Sequence, residues 1–397
     1  MNIQISVIGQ GYVGLPIAMA ACEAGYKVIG IDTDREKIKI LKSGISGLED
    51  VSDQAVTKYL KSRSYQPTTE FEEITNSKVI LICVPTPLDA ENLPDLSYVK
   101  NATNEISKYL SKDTLVILES TVGPGTTRDF MIPLLEKGSG MSRQDFHVAF
   151  SPERIDPLNQ NWNIFNTPKI VAGLTEESKQ LAMNFYSRFV KTLVPVDSLE
   201  IAETAKLLEN SFRLVNISFI NEISQFCQKL GIDIKSVIHA ASTKPYGFMP
   251  FYPSLGVGGH CIPVDPIYLA NKAQQIGATA RFIEVATNIN LEMPTYFTDI
   301  AEKTLGSLIN KRVLIIGVSY KPNVSDVRQT PVSGLIEVLR NRGALVSWHD
   351  DLVKEWAGET SVPLSPDYDL AILATPHNYL DLSKIGKVQL LNTRGSI

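Results

Sequence analysis

The sequence predicts an α/β protein in which two doubly wound domains are joined by a long central helix and a helical linker domain. Three observations predict it. The first third alternates short β-rich apolar runs with amphipathic segments, the sign of a parallel sheet covered by helices on both faces. From Leu199 to Leu230 the text becomes one helical period without a break. After about Gly306 the alternation returns over a shorter span. The expected domains are 1–198, 199–305 and 306–397, in keeping with a length of 397 residues, well beyond one compact core.

Taken in order, strands are expected at ISVIG, KVIGID, KVILICV, TLVILES and HVAFS, with helices from Leu15 to Ala24 and Arg35 to Lys42 packed on that sheet. A strand at KIVAG and a helix from Glu176 to Val190 complete the first domain. The central helix is closed by Gly231, a residue suited to a left-handed C-terminal cap. More helical text flanks the segment KPYGFMPFYPSLGVGGHCIPVDP, whose glycines and prolines exclude regular structure, and long loops in compact proteins are usually functional. The last domain carries strands at RVLIIG, LVSWHD, LAILAT and VQLLN and a helix from Val332 to Arg342.

Composition removes several classes of function. No apolar run approaches the ~20 residues that a membrane helix needs. The N-terminal MNIQISVIGQG lacks the basic, apolar and small-residue regions of a signal peptide, so a cytoplasmic location is expected. A formal charge of −5 argues against a nucleic-acid or anionic-membrane surface. Of the four cysteines, Cys22, Cys83 and Cys227 lie in apolar text and read as core, and none forms a CxxC pair. The five histidines show no metal-ligand spacing, so no metal site is expected.

Residues Gly9-Gln10-Gly11-Tyr12-Val13-Gly14 form GxGxxG directly after a strand and before a helix, and Asp32 ends the next strand. The first glycine permits the tight turn, the second lets a pyrophosphate approach the backbone, and the third lets helix and strand pack closely. The pyrophosphate then meets a helix N-terminus, and Asp32 accepts from the adenine ribose. Asp32 and Asp34 would repel the 2′-phosphate of NADP, so NAD is the expected cofactor and both domains are Rossmann-like; Arg35 is read as a first-turn surface residue. Two further strand ends, Cys83-Val84-Pro85-Thr86-Pro87 and Glu119-Ser120-Thr121-Val122-Gly123, lie where such sheets bind ligands.

Cys261 differs from the other cysteines. It sits in Gly258-Gly259-His260-Cys261-Ile262-Pro263-Val264-Asp265, where glycines allow close approach to a ligand and a carboxylate follows four residues on. His260 is read as structural or substrate-facing, because adjacent residues of an extended loop point apart. On the central helix, Lys206, Asn210 and Arg213 project from one face at spacings of four and three.

With these residues in place, the chain resembles the UDP-glucose/GDP-mannose dehydrogenase family over essentially its whole length. The likeness runs through GQGYVGLPIA, VPTP, ESTVGPGTT, SPERIDP, AETAKLLENSF, GVGGHCIPVDP and GVSYKPNVSDVRQTP, in the family's order. SPERIDP, KPYGFMPFYP and GGHCIPVDP look most like the branch acting on UDP-N-acetylhexosamines, whereas UDP-glucose enzymes more often carry a GGSCFPKD-like loop. The resemblance implies Cys261 as nucleophile, Lys206 and Asn210 as oxyanion and sugar partners, and Asp265 in proton movement. It implies that Glu153 and Thr121 assist thioester hydrolysis, and that Gly9, Gly11, Tyr12, Val13, Gly14, Asp32, Pro85, Thr86, Thr121 and Arg328 serve NAD. Phe251, Tyr252, Gly258 and Lys321 would line the nucleotide sugar, with Arg154 and Arg213 as branch-specific candidates. The chain ends at Ile397, earlier than many members of the family are expected to.

The implied activity is a four-electron oxidation of the sugar's C6 alcohol to a carboxylate for surface-polysaccharide or other glycan precursors, with a thiohemiacetal and a thioester on Cys261 preventing escape of the aldehyde. Three alternatives stay open: a UDP-glucose dehydrogenase, a two-electron β-hydroxyacid dehydrogenase, which would not need Cys261, and a silent nucleotide-sugar-binding subunit, which would be free to lose the whole constellation. The central helix, apolar on more than one side, predicts a homodimer in which two copies of it pack together.

Overall fold

A computed structural model describes residues 3–155, 159 and 161–395. The chain divides into two compact units, Met1–Leu208 and Glu209–Ile397.

The first unit is built on strands β1 (Gln4–Ile8), β2 (Lys27–Ile31), β3 (Tyr65–Thr68), β4 (Val79–Ile82), β5 (Leu115–Leu118), β6 (His147–Phe150), β7 (Lys169–Gly173) and β8 (Leu193–Pro195). Their order is β3-β2-β1-β4-β5-β6-β7-β8. The reversal of order between β1 and β4 makes a crevice at the carboxyl edge, where doubly wound sheets take their ligands. All pairs are parallel except β6 with β7. The expected strands are thus present, and two more, β3 and β8, extend the sheet at its ends.

Helices α1 (Gly14–Glu23), α2 (Arg35–Lys42), α3 (Asp53–Lys61), α4 (Ser97–Tyr109), α5 (Ile132–Ser139) and α6 (Glu176–Tyr186) pack on this sheet. One face buries Ile5, Val7, Leu15, Ile17 and Tyr186, the other Ile82, Ile106, Leu118, Leu135 and Phe150. Helix α6 stops at Tyr186, short of the expected Val190. Phe189 and Val190 stay buried in the turn that follows, so their apolar spacing reads like another helical turn.

Helix α7 spans Leu199–Leu230, as expected, and Gly231 follows it at φ 73°. Beyond it lie α8 (Ile234–Ser242), α9 (Asp265–Gln275) and α10 (Arg281–Leu305). A parallel sheet of β9 (Arg312–Ile316), β10 (Leu345–His349), β13 (Leu370–Leu373) and β14 (Leu390–Asn392) follows, in the order β10-β9-β13-β14, with α11 (Val332–Asn341) against it. A short hairpin, β11 (Glu355–Trp356) with β12 (Glu359–Thr360), interrupts it. Here too the order reverses between two neighbours, β9 and β13, giving a second crevice at their carboxyl ends. No helix among the described residues is long and apolar enough to cross a membrane.

Candidate active site

The first crevice is shaped by its glycines. Gly9 has φ 91°, and a Cβ there would lie 2.5 Å from the Cys83 carbonyl oxygen. A Cβ on Gly14 would fall 1.8 Å from the Gly9 carbonyl oxygen, so the third glycine is set by helix–strand contact. Gly11 differs, because a Cβ on it would meet no protein atom within 4 Å. Protein packing does not demand glycine there, which fits a cradle that a pyrophosphate approaches. No side chain caps the N-terminus of α1, whereas Asp34, Ser52 and Thr175 cap α2, α3 and α6. Gln10 between the glycines is buried; its amide donates to the Val7 carbonyl at 2.8 Å and accepts from the Tyr65 hydroxyl at 2.7 Å.

Asp32 closes this turn from β2. One oxygen accepts the Gln10 N–H at 2.8 Å and the Lys37 ammonium at 2.8 Å; the other accepts the Asp34 N–H at 3.0 Å. Arg35 opens α2 as an exposed first-turn residue. At the neighbouring strand ends Thr86 is buried, Thr121 is half-buried and Pro85 is exposed, while Tyr12 and Val13 are half-buried beside the glycine turn.

Beneath the edge of this crevice lies a buried ionic cluster that the sequence did not single out. The Glu119 carboxylate accepts from Lys169 at 2.7 Å and from the Tyr186 hydroxyl. Burial pushes the Glu119 carboxyl up against the pull of Lys169, and pushes the Cys83 thiol and the Tyr186 phenol well up. Lys169 also reaches the Pro152 carbonyl at 3.4 Å, Ser151 donates to the Ile170 carbonyl at 2.7 Å, and Arg154 donates to the Pro168 carbonyl at 2.7 Å. The segment that carries Glu153 is thereby stitched to β7, and Glu153 itself accepts the Ile155 N–H. Asp156 and Pro157 of the same motif lie outside the described residues.

Glu203, on the first turns of α7, is fully buried and accepts from the Gly125 N–H at 2.6 Å, the Thr127 N–H at 2.9 Å and the Thr127 hydroxyl at 2.6 Å. It fastens α7 to the loop that follows Thr121, one turn before Lys206. Lys206 and Asn210 are both buried, while Arg213 is exposed.

In the second unit Asn210 donates to Asp265 at 2.5 Å. Asp265 is the first residue of α9, where the helix dipole favours a carboxylate, and its N–H donates to the Cys261 carbonyl at 2.8 Å. Three of the expected catalytic residues, Cys261, Asp265 and Asn210, are therefore linked through one turn. Cys261 is exposed, and Cys22, Cys83 and Cys227 are buried. A Cβ on Gly258 would lie 2.8 Å from the Tyr320 Cβ and 2.9 Å from the Gln329 carbonyl oxygen. The thiol loop is seated on the SYKP and VRQTP segments, so Gly258 is required by protein packing, a reason that its sequence neighbourhood did not supply. Burial, and after it the nearby Arg328 charge, hold the pKa of the His260 imidazole below its ordinary value. The Arg328 guanidinium pairs with Asp326 at 2.6 Å, Lys321 is half-buried, Phe251 stacks edge-on against Phe212 at 5.8 Å, and Tyr252 is exposed. Among the described residues no cluster of three His, Cys, Asp or Glu could hold a metal ion.

The chain belongs to the UDP-glucose/GDP-mannose dehydrogenase family. It matches the family's NAD binding domain over residues 3–190, its central domain over 200–292 and its UDP binding domain over 314–394. It is 38% identical to Protein CapL of Staphylococcus aureus over 88% of this chain and 82% of that one. It is 35% identical to a UDP-N-acetyl-D-glucosamine 6-dehydrogenase of Pseudomonas aeruginosa over 98% and 95% of the two chains. The solved UDP-D-ManNAc dehydrogenase of Pyrococcus horikoshii superposes with a TM-score of 0.92 at 31% identity, covering 99% of this chain and 95% of that one. The protein is an NAD-dependent nucleotide-sugar dehydrogenase.

Glu203 provides a pH test of this architecture. Burial pushes its carboxyl up from 4.5 to about 7, although the three hydrogen bonds from Thr127 and Gly125 pull it down. The folded chain then binds more protons than the unfolded one between those values, so stability falls as pH rises through that window. The slope is at most about 1.4 kcal/mol per pH unit. Urea midpoints of the wild type and Glu203→Gln from pH 5 to 8 should show the wild type losing ground to the variant up to about pH 7 and running parallel above it. Parallel curves throughout would contradict the assignment.

Proposed function

We propose that the protein oxidises the C6 alcohol of a UDP-N-acetylhexosamine, UDP-GlcNAc or UDP-ManNAc, to the uronic acid through a covalent intermediate on Cys261. The observation that carries this reading is the turn that opens α9, in which the exposed Cys261 accepts the Asp265 N–H on its carbonyl and the Asp265 carboxylate accepts from Asn210. The names of the relatives, which include both UDP-N-acetylglucosamine and UDP-N-acetylmannosamine enzymes, support the substrate class.

Bound NAD supplies the hydride acceptor for both oxidations. The glycine turn and Asp32 hold its diphosphate and ribose, with Tyr12, Val13, Pro85, Thr86, Thr121 and Arg328 beside it. The Cys261 thiolate adds to the C6 aldehyde, so the partly oxidised sugar cannot leave. After the second oxidation the acyl group is a thioester; water attacks its carbonyl, the C–S bond breaks and the thiolate is restored. Lys206 and Asn210 stabilise the negative oxygen in these states, and removing one such donor costs about two to three orders of magnitude in rate. Asp265 carries the proton, with Glu153 and Thr121 assisting the water. Lys321 meets the diphosphate of the substrate, and Phe251, Tyr252, Gly258, Arg154 and Arg213 border the nucleotide sugar.

The stoichiometry tests the reading. With limiting UDP-N-acetylhexosamine the wild type should release two NADH per sugar and leave the acid. Cys261→Ala should stop acid formation while keeping NAD and UDP-sugar affinity within a few-fold, because the thiol contributes to chemistry more than to binding. One NADH per sugar, or an alanine variant still making acid near the wild-type rate, sinks the covalent route.

We also propose a homodimer through α7. Leu208, Phe212, Phe219, Phe226 and Leu230 are all exposed on this helix at steps of four and seven, a heptad-like apolar stripe that a second copy would cover. Sedimentation should give a dimer for the wild type and a monomer for Phe219→Asp combined with Phe226→Asp. A wild-type monomer at every concentration would end the proposal.

A further inference from the structure

The second crevice repeats the backbone geometry of the first with a different occupant. In the first, the Gly9 N–H donates to the Ile31 carbonyl at 2.7 Å and the Gln10 N–H to Asp32 at 2.8 Å. In the second, the Gly317 N–H donates to the His349 carbonyl at 2.8 Å and the Val318 N–H to Asp350 at 2.9 Å. Gly317 has φ 82°, and a Cβ there would lie 2.2 Å from the Thr375 carbonyl oxygen, as one on Gly9 would strike Cys83. Asp350 is therefore the counterpart of Asp32, the acid that receives a ribose in a dinucleotide domain.

Asp350 is fully buried, and its partner is His377. The two side chains meet at 3.0 Å between the imidazole Nε2 and the carboxylate, while the imidazole Nδ1 lies 2.9 Å from the Asn323 N–H. An N–H aimed at Nδ1 requires that nitrogen to be the acceptor, so Nε2 carries the proton and donates to Asp350. Although burial pushes the other way, the hydrogen bonds from His377 and the Val318 N–H hold the Asp350 carboxyl down at about 2. Asn323 itself is left-handed, at φ 64°, and its side-chain oxygen accepts the Asn378 N–H at 2.9 Å. Ser319 donates to the Lys321 carbonyl at 3.1 Å, and Thr375 to the Ser319 carbonyl at 2.6 Å. The turn that presents Lys321 is thus tied down on both sides, at Ser319 by Thr375 and at Asn323 by His377, both from the segment that follows β13.

We propose that His377 is a positioning residue for Lys321: the imidazole, anchored on Asp350, fixes the Ser319–Asn323 turn so that the Lys321 ammonium is presented to the diphosphate of a nucleoside-diphosphate substrate. The acid that binds a ribose in the first domain binds an imidazole in the second, and the crevice is turned from dinucleotide recognition to diphosphate recognition. This inference rests on the reading of Lys321 given under Proposed function.

The test is a double-mutant cycle in the full-length protein, with UDP as the probe in calorimetry and initial rates against UDP-sugar and NAD. His377→Ala should weaken UDP binding and raise the UDP-sugar KM roughly tenfold, with kcat at saturation and the NAD KM within about twofold. His377→Asn, which keeps an acceptor for the Asn323 N–H, should recover most of that loss. In a Lys321→Ala background, His377→Ala should add less than about threefold, because the group it positions is gone. Equal losses in both backgrounds, or unchanged UDP affinity in His377→Ala, overturn the inference alone. Wild-type protein that does not bind UDP overturns the nucleotide-sugar reading and this inference with it. Should the alanine variant fail to fold, hydrogen exchange of the Asn323 amide in the wild type and in His377→Asn decides the anchor: slow exchange in both is expected, and fast exchange in the wild type overturns it.

Discussion

The structure depends on the burial of polar side chains along a single helix. Helix α7 is 32 residues long and carries Glu203, Lys206, Asn210, Ser218 and Asn221, all buried, in otherwise apolar text. A buried polar group without a partner costs about 1–3 kcal/mol, so such side chains dictate what must stand beside them. Glu203 collects the donors of the Gly125–Thr127 turn, and Asn210 donates to Asp265. Ser218 donates to the Ala286 carbonyl of α10, and Asn221 accepts the Ser254 N–H at 2.8 Å, fixing the start of the glycine-rich thiol loop. Within each unit, a loop that carries candidate catalytic residues is thus fastened to that unit's own part of the helix. That arrangement holds positions with far more precision than loop packing alone.

The two doubly wound sheets show one backbone device adapted twice. A left-handed glycine after the first strand and an acid at the end of the second strand recur in both, and both sheets reverse strand order at that place. What separates them is what meets the acid. Asp32 is nearly buried beside the half-exposed Lys37, whose ammonium a ribose can replace or join, whereas Asp350 is fully enclosed with His377. The same fold can therefore serve two ligands, because the site is made by the side chains set on it.

Much of this was legible in the sequence wherever the signal is local. The bounds of α7 follow from an unbroken period closed by Gly231, and the glycine turn follows from its spacing between a strand and a helix. The exposed Cys261 stood apart from three cysteines in apolar text for the same reason. Strand β3 escaped notice because Tyr65–Thr68 contains Pro67 and Gln66 and lacks an apolar run. The antiparallel pairing of β6 and β7 has no local signature, since strand direction is set by the path of the chain and not by side-chain alternation. Long-range polar pairs were the least legible. Glu119 and Lys169 stand 50 residues apart, each at a strand terminus where a charged residue normally meets water. Asp350 directly follows β10 and His377 lies in the loop beyond β13, positions that equally give no local sign of the pairing. Gly258 was read as room for a ligand, and the structure adds the Tyr320 contact that requires it.

The account turns on whether the partly oxidised sugar is held on Cys261. Hydroxylamine distinguishes the routes, because it converts a thioester into a hydroxamate and a free aldehyde into an oxime. Turnover of a UDP-N-acetylhexosamine in its presence, followed by mass spectrometry of the sugar product and a count of NADH, is the most direct measurement. The account predicts the hydroxamate accompanied by two NADH per sugar; an oxime accompanied by one would contradict it.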